Sequence, residues 1–246
     1  MDEKPTRGRH SDATRMMGAG YAHSLRIDNG VPVVDLSGLA VILDTGSPTS
    51  FGTVGALDIQ GREFPLASHY LNLDIDAINR HLRSPVAALI GTDILREFVV
   101  MFDFGTSVLR MNADQPSAPQ DAVRVTEVMG VPVVSARLEG ADQPMIIDTG
   151  AALSYLVPSV AEACKGVGAT MDDFMPLLGP FRTELFEGHL SVGRSIGILR
   201  FGVLPPPLDG LLGLLGVSGV IGLNAVGSGC LTLSLAGNWA TIDRVG

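Results

Sequence analysis

The chain carries the same series of blocks twice, and this limits how it can fold more than any other feature. Gly30–Val34 reads GVPVV, and so does Gly130–Val134. Each copy passes through a short polar turn into an apolar run that ends in Asp-Thr-Gly. The first run is VILDTGSPTSF, with Asp44-Thr45-Gly46; the second is MIIDTGAALSYL, with Asp148-Thr149-Gly150. The aspartates are 104 residues apart, and each is followed six positions later by a serine, Ser50 and Ser154. A further pair of blocks comes in the same order, ALIGTDIL at Ala88–Leu95 and GVIGLNAV at Gly219–Val226. Each leads to a terminal alternating stretch, FVVMFDFGTSVLRM and CLTLSLAGNWATI. Such a repeat predicts a duplicated domain. Its units are residues 21–111 and 123–246, joined by a polar, proline-containing linker at 112–122, with residues 1–20 as a mobile tail.

Within each unit the local signals are mainly β. VPVVDL, AVILD, GALDIQ, REFPLA, VVMFDF and SVLRM are short runs with β-branched residues, bounded by Gly, Asp or Pro. Helical patterns are confined to Ile75–Leu82, Asp93–Phe98 and Ser159–Cys164. Gly210–Gly227 has 18 residues without a charge, close to the lower limit for a spanning helix. Its six glycines weaken any isolated helix, so it reads as a buried loop plus strand, and no membrane span is expected.

Composition removes several function classes. Apolar residues make up 46 % of the 246-residue chain, enough for a sizeable core. The net charge is −9, and Lys4 and Lys165 are the only lysines beside fifteen arginines. No basic stripe is present, which argues against nucleic acid as a partner. Cys164 and Cys230 form no CxxC or Cys/His cluster, and His10, His23, His69, His81 and His189 show no paired spacing, so no metal or cofactor is expected. GxSxG, HExxH and P-loop motifs are absent, as is GxGxxG in a strand–helix context. The first 24 residues lack an apolar signal core, which makes a cytoplasmic protein the default expectation.

An apolar strand running into Asp-Thr-Gly places a carboxylate at the mouth of a turn, where glycine lets backbone N–H groups approach it. One copy is an ordinary Asx-type turn. Two copies at matching places of a duplication can meet about a twofold axis. Two carboxylates a few ångströms apart cannot both ionise, so the pair holds one proton. One is then a general base toward water and the other a general acid toward a carbonyl, a pairing suited to amide hydrolysis.

At these residues the sequence resembles the aspartic peptidases, both pepsin-like and retropepsin-like. The resemblance rests on Asp44-Thr45-Gly46-Ser47 and Asp148-Thr149-Gly150-Ala151, on Ser50 and Ser154, and on Leu89-Ile90-Gly91 and Val220-Ile221-Gly222. In spaced blocks it covers residues 25–243. It implies a bilobal fold of double-psi-type closed β-barrels with pseudo-twofold duplication, like retropepsin monomers fused in tandem. Asp44 and Asp148 would be the dyad, Thr45 and Thr149 would cross-bond the turns, and Gly46 and Gly150 would approach the carboxylates. The implied partner is a peptide or protein held extended in the interlobe cleft of a single chain, with no oligomer required. The alternative is a catalytically weak member of the fold that serves as a peptide-binding or interaction module.

Departures from the family pattern set further expectations. In the second unit a strand pair at Gly188–Leu204 leaves room for a flap around Asp172–Thr183, with Met175, Pro176, Leu177, Leu178, Gly179 and Pro180 at its tip. In the first unit the comparable pair, Val54–Ala67, follows the DTG block almost directly and leaves no room for a flap. Tyr70 and Tyr155 fall in the wrong blocks to be a flap tyrosine. Leu223-Asn224 stands where the first unit has Thr92-Asp93. The turns also differ in Ser47 and Ala151. The Ser47 hydroxyl either donates to the Asp44 carboxylate, which would keep Asp44 ionised and leave the proton on Asp148, or merely satisfies its own turn.

Overall fold

The structure is a computed structural model; residues 21–176 and 178–244 are described. The proposed tail 1–20 lies outside them. The protein is mainly β. Residues 21–112 form β1 (Tyr21–Asp28), β2 (Val31–Leu36), β3 (Leu39–Leu43), β4 (Phe51–Gly52), β5 (Ala56–Ile59), β6 (Arg62–Pro65), β7 (Ala88–Ile90), β8 (Val99–Asp103) and β9 (Val108–Asn112). Residues 123–243 form β10 (Val123–Val128), β11 (Val131–Leu138), β12 (Ala141–Ile147), β13 (Ser154–Leu156), β14 (Lys165–Met175), β15 (Gly179–Val192), β16 (Ser195–Val203), β17 (Gly219–Ile221), β18 (Cys230–Ser234) and β19 (Trp239–Asp243). Asn112 still belongs to β9, opposite Val99, so the connection without strand begins one residue later than the proposed linker.

The repeated blocks pair in matching ways. Each GVPVV block opens at a two-residue hairpin turn, Asn29-Gly30 between β1 and β2 and Met129-Gly130 between β10 and β11. Both turn residues have positive φ in each case, the geometry that suits a tight turn to twisted strands. The apolar runs VIL and MII become β3 and β12, which lie parallel to β7 and β17 respectively. Val41, Ile42 and Leu43 are all buried. These strands therefore read as continuous apolar runs rather than alternating ones.

Five described pairings join six strands in the order β1, β9, β8, β18, β19, β10. At its centre β8 runs antiparallel to β18, with Met101 opposite Thr232. The main core is continuous across this seam: Leu43, Phe98 and Phe102 belong to one cluster with Ile147, Phe201 and Leu233. Each fully buried side chain of this size contributes about 1.5–3 kcal/mol.

Two smaller clusters cover matching faces with different material. Val33, Ile42 and Leu89 are covered by Leu73 and by Ile75 and Ile78 of a short helix, Ile75–Asn79. Val133, Ile146 and Val220 are covered by Leu212 together with Met171, Met175 and Phe181 of the β14–β15 hairpin. The other short helices are Thr92–Leu95, Pro158–Ala161 and Leu208–Leu214. The last corrects part of the expectation of a buried loop plus strand over Gly210–Gly227: residues up to Leu214 are helical, whereas Gly219–Ile221 forms the strand β17. Packing of Leu212 into the second cluster offsets the cost of Gly210 and Gly213. Leu212 packs inward, while Leu211 and Leu214 are exposed. No helix among the described residues is long and apolar enough to cross a membrane.

Candidate active site

Both aspartates sit where a buried strand ends, and the same bonds hold each. The Asp44 N–H donates to Ile90 O at 2.9 Å and the Asp148 N–H to Ile221 O at 3.0 Å, so each turn is pinned to the parallel neighbour strand. Gly46 N and Gly150 N each donate to the carboxylate of their own turn at 2.8 Å. The two threonines then lock the turns together. Thr45 N donates to Thr149 Oγ1 at 3.1 Å, and Thr149 N donates to Thr45 Oγ1 at 2.9 Å. Each hydroxyl in turn donates to the strand leading into the opposite turn, Thr45 to Ile147 O at 2.7 Å and Thr149 to Leu43 O at 2.8 Å. Both threonines are buried, so removing either hydroxyl leaves polar backbone without a partner.

This arrangement brings Asp44 and Asp148 within hydrogen-bond reach of each other. Only glycine fits between them. A methyl group at Gly46 would stand 2.5 Å from the Asp148 carboxylate, and one at Gly150 would stand 2.7 Å from that of Asp44. Burial pushes the Asp44 carboxyl well above the usual carboxylate range, and the charge of Asp148 pushes it further. Burial also raises Asp148, offset in part by the Gly150 N–H and the hydrogen bond with Asp44. The pair titrates as a unit.

The possibility that Ser47 biases that proton is not met. Its hydroxyl donates to Thr49 O at 2.9 Å, so it satisfies its own turn. Ala151, its counterpart, has no side-chain donor, yet the backbone donors nearest the two carboxylates are alike. The Ser47 hydroxyl does not hold Asp44 ionised; its backbone N–H favours the charged form, as the Ala151 N–H does for Asp148.

The apparent mismatch at Leu223-Asn224 also resolves. The Asp93 carboxylate accepts from Ser50 N at 2.9 Å and Ser50 Oγ at 2.5 Å, and Ser50 Oγ accepts from Gly91 N at 2.8 Å. Asn224 Oδ1 accepts from Ser154 N at 2.8 Å and Ser154 Oγ at 2.6 Å, and Ser154 Oγ accepts from Gly222 N at 3.0 Å. This is the same network with a neutral acceptor. The Asn224 amide also donates to Arg200 O at 2.8 Å, which a carboxylate could not do.

The dyad opens into a cleft of about 310 Å³. Hairpin residues Asp173, Phe174, Met175 and Pro176 line one side. Of the residues assigned to the flap tip, Leu177 lies outside the described ones, Leu178 is partly exposed, and Gly179 and Pro180 begin β15. No hairpin stands at the matching place in the first half among the described residues. There a shelf formed by residues 70–82 supplies Tyr70, Leu73, Ile78, His81 and Leu82 instead. Buried Asp28 anchors it by accepting from Arg83 N and Ser84 N at 2.9 and 3.1 Å, and Asn29 Nδ2 donates to His81 O at 2.7 Å.

Sequence reasoning missed the residues that join shelf and hairpin. The His81 ring stacks on Phe174 with centroids 3.4 Å apart. Tyr155 and Tyr70, set aside as lying in the wrong blocks, both line the cleft, and the Tyr155 hydroxyl donates to Asp173. Among the described residues no group of three or more His, Cys, Asp or Glu is placed to hold a metal ion. No protein-family model matches the chain, and a search of curated proteins finds no match.

Proposed function

We propose that the chain is an aspartic endopeptidase, with two retropepsin-like lobes of double-psi-type barrel in pepsin-like bilobal arrangement, related by an internal duplication. The observation that carries the proposal is the reciprocal bonding of Thr45 and Thr149, which fixes two half-buried carboxyls within hydrogen-bond reach at the floor of a cleft. A core role alone gives no reason to bury two acids side by side, because burial disfavours their charged forms. Placed together, they hold one proton. The ionised member takes a proton from water as that water attacks the peptide carbonyl. The protonated member donates to the carbonyl oxygen, and the proton taken from water later passes to the leaving amine. The substrate is a peptide or protein segment lying extended between the β14–β15 hairpin and the shelf at 70–82.

The test is incubation with a mixed peptide library from pH 3 to 8, with Asp44→Asn and Asp148→Asn as controls. Cleavage by the wild type and none by either variant is the expected result. Cleavage retained in either variant would remove the dyad from the mechanism, and no cleavage by the wild type would leave a peptide-binding module.

A further inference from the structure

The β14–β15 hairpin is not held over the cleft by its own ladder alone. The pairing of β14 with β15 shifts register between Gly166 and Thr170, so the outer part is uncoupled from the base by an irregularity. Beyond it the strands pair from Thr170↔Glu184 to Met175↔Gly179, and Asp173 stands directly opposite Phe181. One side chain from outside the hairpin grips this rung. The Tyr155 ring lies tilted against Phe181 at a centroid distance of 5.9 Å, and its hydroxyl donates to Asp173. The other oxygen of Asp173 accepts from Phe174 N at 2.7 Å, which fixes the orientation of the carboxylate.

Tyr155 itself cannot move far. It is buried on β13, which pairs with β16 on one side and with β17 on the other. Its ring occupies space that Gly202 leaves open: a methyl group at Gly202 would stand 2.5 Å from Tyr155 Cε1. β13 follows the Asp148 turn directly. The same short strand therefore carries Ser154, which is bonded to Gly222 and Asn224, and Tyr155, which braces the hairpin.

Resting on the peptidase reading, we propose that Tyr155 and Asp173 are positioning residues, whose hydrogen bond sets the height of the hairpin over Asp44 and Asp148 so that it closes on a bound peptide. Burial and the Asp173 carboxylate keep the tyrosine hydroxyl protonated, and so a donor, far above its ordinary range. Neither residue takes part in proton transfer.

The experiment is steady-state cleavage of one library-derived peptide by wild type, Tyr155→Phe, Asp173→Ala, the double variant and Asp173→Asn, together with hydrogen exchange of each. Tyr155→Phe keeps the ring packing, and Asp173 lies on the hairpin outside the core, so both variants should fold. Each single variant should lose about tenfold in kcat/KM, mainly through KM, as expected for one hydrogen bond to a charged group. The double variant should be no worse than either single one, and Asp173→Asn, which keeps an acceptor, should recover most of the loss. Amides of residues 170–184 should exchange faster in the defective variants, with β13 and β17 unchanged. Kinetics within twofold of wild type, or losses that add in the double variant, overturn the proposal while leaving the peptidase reading in place. A wild type that cleaves nothing overturns both.

Discussion

The two carboxyls at the cleft floor are held by matched bonds, and what each bond does can be tested singly. Because the Ser47 hydroxyl points to Thr49 O rather than to Asp44, Ser47→Ala should leave both limbs of the pH profile of kcat/KM where they are in the wild type. A shifted acid limb would show that the serine reaches the dyad after all. Stability gives a second test. Both carboxyls have folded-state pKa values raised by burial, so the folded protein holds more protons than the unfolded chain between the unfolded carboxylate range near 4 and the raised values. Stability from this source is fully present below that range and is lost as pH rises through the folded values. Asp44→Asn removes the penalty. Its melting temperature should exceed that of the wild type at pH 7, and the gap should close as pH falls toward 4. A variant less stable than wild type at pH 7 would contradict the sign.

At the scale of strands and hairpins, the match between halves lies in hydrogen-bond roles rather than in residue identities. Asn224 does for Ser154 what Asp93 does for Ser50, and in addition it donates to Arg200 O. Asn224→Asp would set a carboxylate oxygen against that carbonyl, and it should cost about 1–3 kcal/mol, read as a lower urea midpoint with an unchanged slope. The hairpin allows the opposite kind of test. Replacing Met175–Pro180 by a two-residue turn takes Met175 from the cover of the second cluster but leaves Met171, Phe181 and Leu212 in place, so it should raise KM severalfold and lower the urea midpoint only slightly. An unchanged KM would mean that the tip does not touch substrate.

Much of this level was legible in the sequence. Apolar runs bounded by Ser37-Gly38, Gln60-Gly61 and Glu139-Gly140 announce hairpins, and the unequal spacing after the two DTG blocks leaves space for a flap-sized segment in one half only. The Asn224 role was not legible, because the sequence shows a missing charge while the fold needs only an acceptor. Tyr155, His81 and Phe174 were hidden for a related reason. Their partners are brought near by the sheet and share no local pattern with them. The helix Leu208–Leu214 was lost among glycines whose cost is offset by packing of Leu212 that only the folded chain provides.

For the molecule as a whole, the decisive feature is that the halves share a sheet and a core. β8 and β18 pair across the seam, and Trp239, the only tryptophan, is buried there against Val99 and Met101. Its fluorescence therefore reports on the junction. In urea it should change in a single transition that coincides with the loss of far-ultraviolet circular dichroism. An early tryptophan transition followed by a later dichroism step would mean that the halves part before either unfolds. The seam also has a bearing on how a chain lies in the cleft. The bonds at the cleft floor match between the two turns, so on the proposed reading its carboxyls and donors do not distinguish a polypeptide from one running the opposite way. The cover above it is not symmetric: a hairpin tied to Tyr155 stands on one side and a helix-bearing shelf on the other. Whatever direction is imposed on a bound chain, from its amino to its carboxyl end, must come from this unequal cover. On the proposed reading, a peptide and its reversed sequence, equivalent to the carboxyls, are thus expected to differ as ligands.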